Sequence, residues 1–188
     1  MKIGVTGGIG SGKSHVCSIL RKQGYPVYNC DDRAKQLMVE NPSVKSALTE
    51  LIGSEAYTEE GELNKEIIAA FLYANEENRA KVDAIVHPCV KNDFRNWAAV
   101  QASDFVFMEC ALLFESGFND EVDKVLYIYA REDVRIARVI RRDKITREEA
   151  YKRLKAQMPE VVKMKLADFC IINNGNNNIV KQLQEVQI

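Results

Sequence analysis

Apolar residues fall in two rhythms along this chain. Runs with strand character occur at Lys2–Thr6, Val27–Cys30, Asp104–Glu109, Lys124–Tyr129 and Asp168–Asn173. The last three are nearly continuous in apolar residues, the pattern of parallel strands covered on both faces. Between these runs the spacing is helical. Val16, Cys17, Ile19 and Leu20 follow Ser14, and Leu48, Leu51 and Ile52 share a face after Pro42-Ser43. Ile67, Ile68, Phe71 and Leu72 form a stripe after Asn64-Lys65-Glu66, and a longer amphipathic run from Glu76 to Trp97 is expected to kink or break near His87-Pro88. Ile179, Val180, Leu183 and Val186 predict a closing packing helix. Strands alternating with helices imply an α/β fold, a doubly wound parallel sheet of about five strands. The chain is expected to form a single domain with its core in residues 1–36 and 103–188 and an inserted helical lobe over residues 37–102.

Bulk properties narrow the function classes. A formal net charge of −1 and a hydrophobic fraction of 46% describe a water-soluble protein with no general attraction to nucleic acid or membrane. The longest apolar run, Ile67 to Ala74, is too short to span a bilayer. Five cysteines, at 17, 30, 89, 110 and 170, form no C-x-x-C pair and are expected as reduced thiols in a cytoplasmic protein. With a strand expected from Lys2, no signal peptide is expected.

The chemistry starts at Gly7-Gly8-Ile9-Gly10-Ser11-Gly12-Lys13-Ser14, which matches G-x-x-x-x-G-K-[ST] between a strand and a helix start. Glycines let the backbone curl so that successive amides face an anion, and the helix dipole adds to the field. Gly8, Ile9, Gly10, Ser11, Gly12, Lys13, Ser14 and the His15 amide are the candidate contacts to the phosphates of a nucleoside triphosphate, with Ser14 a ligand of Mg²⁺. Phosphoryl transfer also needs cations and an acid. Arg131 to Lys155 carries ten basic and five acidic residues. This stretch, about residues 131–157, is expected as a basic helical lid, with Arg138 and Arg142 on phosphate and Arg141 on phosphate or a carboxylate. Asp31 ends the second strand, either as the acid facing an acceptor hydroxyl or as a helix cap. Glu109, ending the third strand, is either a metal-linked acid or a turn carboxylate.

In order and spacing these segments resemble the dephospho-coenzyme A kinase family over nearly the whole chain. Ile3 to Ser14 is similar to its G-L-T-G-G-I-G-S-G-K-S, and Val27 to Lys35 to V-I-D-A-D-x-x-A-R. Gly61 to Lys65 resembles G-x-L-[DN]-R, His87-Pro88 its H-P pair, and Ala111 to Glu115 its P-L-L-F-E. Arg138 to Asp143 resembles its lid, Arg153 to Gln157 its R-x-x-x-Q, and Ala167-Asp168 to Asn174 its A-D-x-x-I-x-N. The resemblance implies a P-loop kinase using ATP and Mg²⁺, with dephospho-coenzyme A as acceptor. Lys13, Asp31 and Arg142 would then be catalytic, and Asn174 and Gly175 would lie near adenine. It also implies an acceptor site holding His87, Leu112, Leu113, Phe114 and Glu115. Departures from the family pattern are Asn29 for its first Asp, Ala111 for Pro, Lys65 for Arg and His15 for Thr. The expected association state is a monomer or a weak homo-oligomer. Another P-loop nucleoside or nucleotide kinase is the alternative. A GTP-dependent switch is disfavoured because Asn64-Lys65-Glu66-Ile67 lacks the Asp of N-K-x-D.

Overall fold

The computed structural model describes residues 1–186. It divides into two compact units, one formed by Met1–Asn29 with the chain from Val100 onward, the other by Cys30–Ala99.

The first unit is built on five parallel strands, β1 (Lys2–Thr6), β2 (Val27–Asn29), β3 (Val106–Glu109), β4 (Lys124–Tyr129) and β5 (Phe169–Ile172). Their spatial order is β2-β3-β1-β4-β5. The chain leaves the central β1 toward β2 and β3 on one side and occupies β4 and β5 on the other. The loop after β1 therefore sits where the winding direction changes, the usual ligand position in such sheets. Register carries partner residues to its flanks, since Val5 pairs across from Glu109 on β3 and from Leu126 on β4.

Alternation of side chains explains the two faces. Ile3, Val5, Phe107, Leu126, Ile128 and Ile171 point to one side and pack with Val16, Cys17 and Leu20 of α1 (Lys13–Lys22). Ile179 and Leu183 of the closing helix join the same cluster. On the other face Gly4 lies against Leu113, and a Cβ at Gly4 would come 2.9 Å from Leu113 Cδ2.

The second unit is helical. It holds α2 (Cys30–Glu40), α3 (Pro42–Ile52), α4 (Lys65–Ala74) and α5 (Glu76–Ala99). Asn41 caps α3 by accepting from the Ser43 and Val44 amides at 3.0 and 3.2 Å, and Pro42 takes the first helical position. Asn64 caps α4 in the same way, accepting from the Ile67 amide. α5 runs through Pro88 without a break. The buried stripe of Val82, Val86, Val90 and Phe94 continues on both sides of the proline and offsets the hydrogen bond that the ring removes. Arg33 on α2 grips both carboxylate oxygens of Asp93 on α5, at 2.9 and 3.0 Å. The compact helical unit that includes α2 spans Cys30–Ala99.

After β4 the basic stretch folds as α6 (Glu132–Asp143) and α7 (Arg147–Lys155), followed by α8 (Glu160–Leu166) and, after β5, α9 (Ile179–Glu185). Lys144 ends α6 in the left-handed region at φ 55°. A reciprocal capping box between Thr146 and Glu149 starts α7. Among the described residues the five cysteines are free thiols, and no helix is long and apolar enough to cross a membrane.

Candidate active site

The loop from Gly7 to Gly12 joins the buried end of β1 to α1. Gly12 is the residue before the helix and adopts φ 92°, ψ 30°, which only glycine takes up at little cost. A side chain there would also strike Asn173, whose amide nitrogen would lie 2.2 Å from its Cβ. The Ser11 amide closes a turn on the Gly8 carbonyl at 3.0 Å, and the His15 amide reaches the Gly12 carbonyl at 3.1 Å. Lys13 Nζ donates to the Gly7 carbonyl at 2.8 Å, so its ammonium spans the loop from end to start. The His15 side chain is exposed.

Beside this loop the end of β3 supplies Glu109, brought there by its pairing with Val5. Ser14 Oγ donates to Glu109 Oε1 at 2.6 Å, while Oε2 is buried, makes no hydrogen bond and lies 3.5 Å from Arg21. Burial, aided by the Glu109 charge, pushes the Cys17 thiol up. A hydroxyl and a carboxylate at this spacing are the oxygen donors that a hard divalent cation takes, together with phosphate oxygens.

The arginines of α6 divide by position. Arg138 donates to the Gly10 and Ser11 carbonyls at 3.3 and 3.2 Å and so lies on the loop. Arg142, one turn further, is not brought there. It holds Asp143 through two bonds of 2.6 and 3.1 Å with its side chain 62% exposed. Arg153 of α7 adds a bond of 2.8 Å to the same carboxylate. The Arg142 guanidinium holds the Asp143 carboxyl below the ordinary carboxylate value. Arg141 is exposed.

The turn after β5 closes the opposite side. Asn174 Oδ1 accepts the Arg131 amide at 2.9 Å, and a Cβ on Gly175 would lie 3.9 Å from Arg138. Asn174 thus meets the start of α6, and Gly175 lies near the Arg138 side chain. The sequence reading missed their neighbour Asn173, which is buried and donates to the Ser11 carbonyl at 2.8 Å. Counting A-D-x-x-I-x-N from Ala167 ends on Asn173 and was the signal for it.

The segment expected to line an acceptor site behaves differently residue by residue. Leu113 is fully buried, and its carbonyl accepts the Phe118 and Asn119 amides, so it is core and not lining. Phe114 borders a depression with Val122, Lys124 and Asp168, at the amino ends of β4 and β5 and hence away from the phosphate loop. Leu112 is exposed, and Glu115 takes the Met158 amide at 3.1 Å and the fully buried Lys163 ammonium at 2.5 Å. Within the helical unit, Asp31 stands exposed in the first turn of α2, directly after β2. His87 on α5 lies 3.4 Å from Asp83, one turn earlier, and its burial lowers its pKa.

Comparison with known proteins gives a consistent pattern. The family model for dephospho-CoA kinase matches residues 1–178. A dephospho-CoA kinase of Bacteroides fragilis is 40% identical over 187 residues, covering 99% of this chain and 91% of that protein. A crystal structure of a Thermus thermophilus protein superposes with a TM-score of 0.87 at 32% identity, covering 100% of this chain and 95% of the other. The dephospho-CoA kinase of Campylobacter jejuni gives a TM-score of 0.71 at 26% identity over 99% and 98% of the two chains.

Proposed function

Because the chain belongs to the dephospho-CoA kinase family, we propose that it transfers the γ-phosphoryl group of ATP to the ribose 3′-hydroxyl of dephospho-CoA, giving CoA and ADP. The observation that carries this reading is the join of a lysine-spanned glycine loop to the 2.6 Å Ser14–Glu109 pair, in a chain matched to that family from its first residue to 178.

Catalysis of phosphoryl transfer rests on positioning and on charge neutralisation. Loop amides and the start of α1 cradle the phosphates, and Lys13 exchanges the Gly7 carbonyl for a phosphate oxygen. Arg138 stands beside the loop from α6 and Arg142 joins it from one turn further on, while Asn174 and Gly175 border the adenine. Asp31 accepts the proton of the acceptor hydroxyl. His87, Leu112 and Glu115 remain candidates for holding the acceptor. Ser14, with Glu109 beside it, is the pair that would hold Mg²⁺, since the buried Oε2 has no hydrogen-bond partner. The chemistry that Mg²⁺ supplies when bound is neutralisation of charge on the phosphate oxygens. The reading carries with it a cytoplasmic location, a small-molecule acceptor with no nucleic-acid partner, and a monomer or weak homo-oligomer. Phosphate chemistry belongs to the unit holding Lys13.

An assay coupling ADP release to dephospho-CoA tests the assignment. Turnover is expected with dephospho-CoA and ATP, and a nucleoside monophosphate outcompeting that acceptor overturns it. A second expectation concerns the metal. Glu109→Gln keeps an acceptor for Ser14 but removes the charge, and should raise the Mg²⁺ concentration for half-maximal rate about tenfold. An unchanged Mg²⁺ dependence would make Glu109 a structural carboxylate.

A further inference from the structure

Ile9 is the one apolar residue inside the glycine loop, and both polar atoms of its backbone are held by side chains from outside it. Its amide donates to Gln157 Oε1 at 2.8 Å. Its carbonyl accepts from Arg135 Nε at 3.0 Å. The Arg135 side chain is only 6% exposed, and its Nη1 lies 3.0 Å from Glu160 Oε2. The other oxygen of Glu160 accepts the hydroxyl of Tyr127, a fully buried side chain, at 3.0 Å. Gly8 makes room for this, because a Cβ there would come 2.2 Å from Arg135 Nη2. A cavity of about 190 Å³ adjoins the cluster, lined by Gly8, Tyr127, Arg135, Gln157, Glu160 and Lys163.

We propose that Arg135, oriented by Glu160 and Tyr127, is a positioning residue that fixes the Gly8–Ile9–Gly10 backbone for phosphate binding. A buried arginine is expensive to bury and stabilises little for its own sake, even when well paired. What the planar fork does supply is direction, since one edge is tied to a carboxylate and Nε to a single carbonyl. With the Gly8–Ile9 peptide held through its N–H by Gln157 and the Ile9–Gly10 peptide through its carbonyl by Arg135, the amides that follow are aimed before the anion arrives. Preorganised dipoles of this kind need no reorganisation at the moment of reaction. Arg135 has no phosphate to touch in this scheme. It acts through Ile9, and its effect belongs to nucleotide affinity and not to the acceptor.

The proposal rests on the nucleotide half of the proposed function. It is therefore tested with Mg²⁺ and ADP alone, by calorimetry on the full chain, so that a different acceptor would leave the result standing. Arg135→Met keeps the stem and removes the fork, and should weaken ADP binding about tenfold. Glu160→Gln keeps an acceptor for Tyr127 and should weaken ADP binding about threefold, while Tyr127→Phe should move it the same way. In turnover, KM for ATP should rise with the ADP dissociation constant while KM for dephospho-CoA stays put. Lysine at 135 should not rescue, because it cannot bridge Ile9 and Glu160 in a fixed plane. A lowered melting temperature with ADP affinity kept within twofold would show a purely structural role and overturn the proposal. Should Arg135→Met fail to fold, unchanged ADP affinity in Glu160→Gln is enough to overturn it.

Discussion

Replacing Asp31 by alanine is expected to lower kcat about a thousandfold and leave ATP binding within a few-fold of wild type. The expectation follows from placement and chemistry together. Asp31 follows directly on β2 along the chain, as the second residue of α2. It stands in the first turn of α2, where the helix dipole favours a carboxylate over its neutral form. An ionised acid is what an acceptor hydroxyl needs if it is to lose its proton during transfer. Asp32 is the internal control, being a second exposed aspartate in the same turn. Asp32→Ala should change kcat less than about threefold. Asp31→Asn should fail like alanine, since shape and hydrogen bonding survive in it and only basicity is lost. If Asp31→Ala turned over near the wild-type rate, another group would have to take the proton, and Asp31 would be only a first-turn carboxylate of α2.

How far the sequence could be read depends on how local the determining interaction is. The phosphate loop was legible because eight consecutive residues carry the whole signal, and β4 was legible because Val125–Tyr129 is apolar without interruption. Glu109 could only be suspected, since its partner Ser14 lies 95 residues away and a register of parallel strands brings them together. Arg135 was one basic residue among ten in its stretch. Nothing in its spacing marks it as the buried one, because burial comes from Glu160 and Tyr127 on other elements. Leu113 shows the opposite failure. A motif resemblance placed it in a pocket, whereas the glycine at position 4 opens a hole in the sheet face that Leu113 fills. Of the kink or break expected at Pro88, the break does not occur, because a stripe of buried residues, Val82, Val86, Val90 and Phe94, holds α5 on both sides of the proline.

Arg142 is the position where the arrangement described here and the one needed for catalysis differ most. Its guanidinium is engaged with Asp143, which Arg153 also holds, and the pair lies at the surface. Exposed ion pairs contribute about 0–1 kcal/mol, so giving up this one costs little. A phosphoryl group offers the same fork a bidentate partner with more charge and, once nucleotide and acceptor exclude water, a lower dielectric. On the proposed function the exchange is favourable only when nucleotide is present, and a contact made as charge develops on the transferring group would place the effect of Arg142 in the transition state. Arg138, already resting on the Gly10 and Ser11 carbonyls, has no such switch to make. Arg142→Ala is accordingly expected to lower kcat by a factor on the order of 10² to 10³ with KM for ATP raised only a few-fold. Lysine should recover little, because a point charge on a flexible stem cannot replace a planar fork. Asp143→Asn, which weakens the competing partner, should leave kcat within about threefold of wild type. A kcat loss below about threefold in Arg142→Ala would pass the charge-stabilising role to Arg138 and leave Arg142 as a surface ion pair.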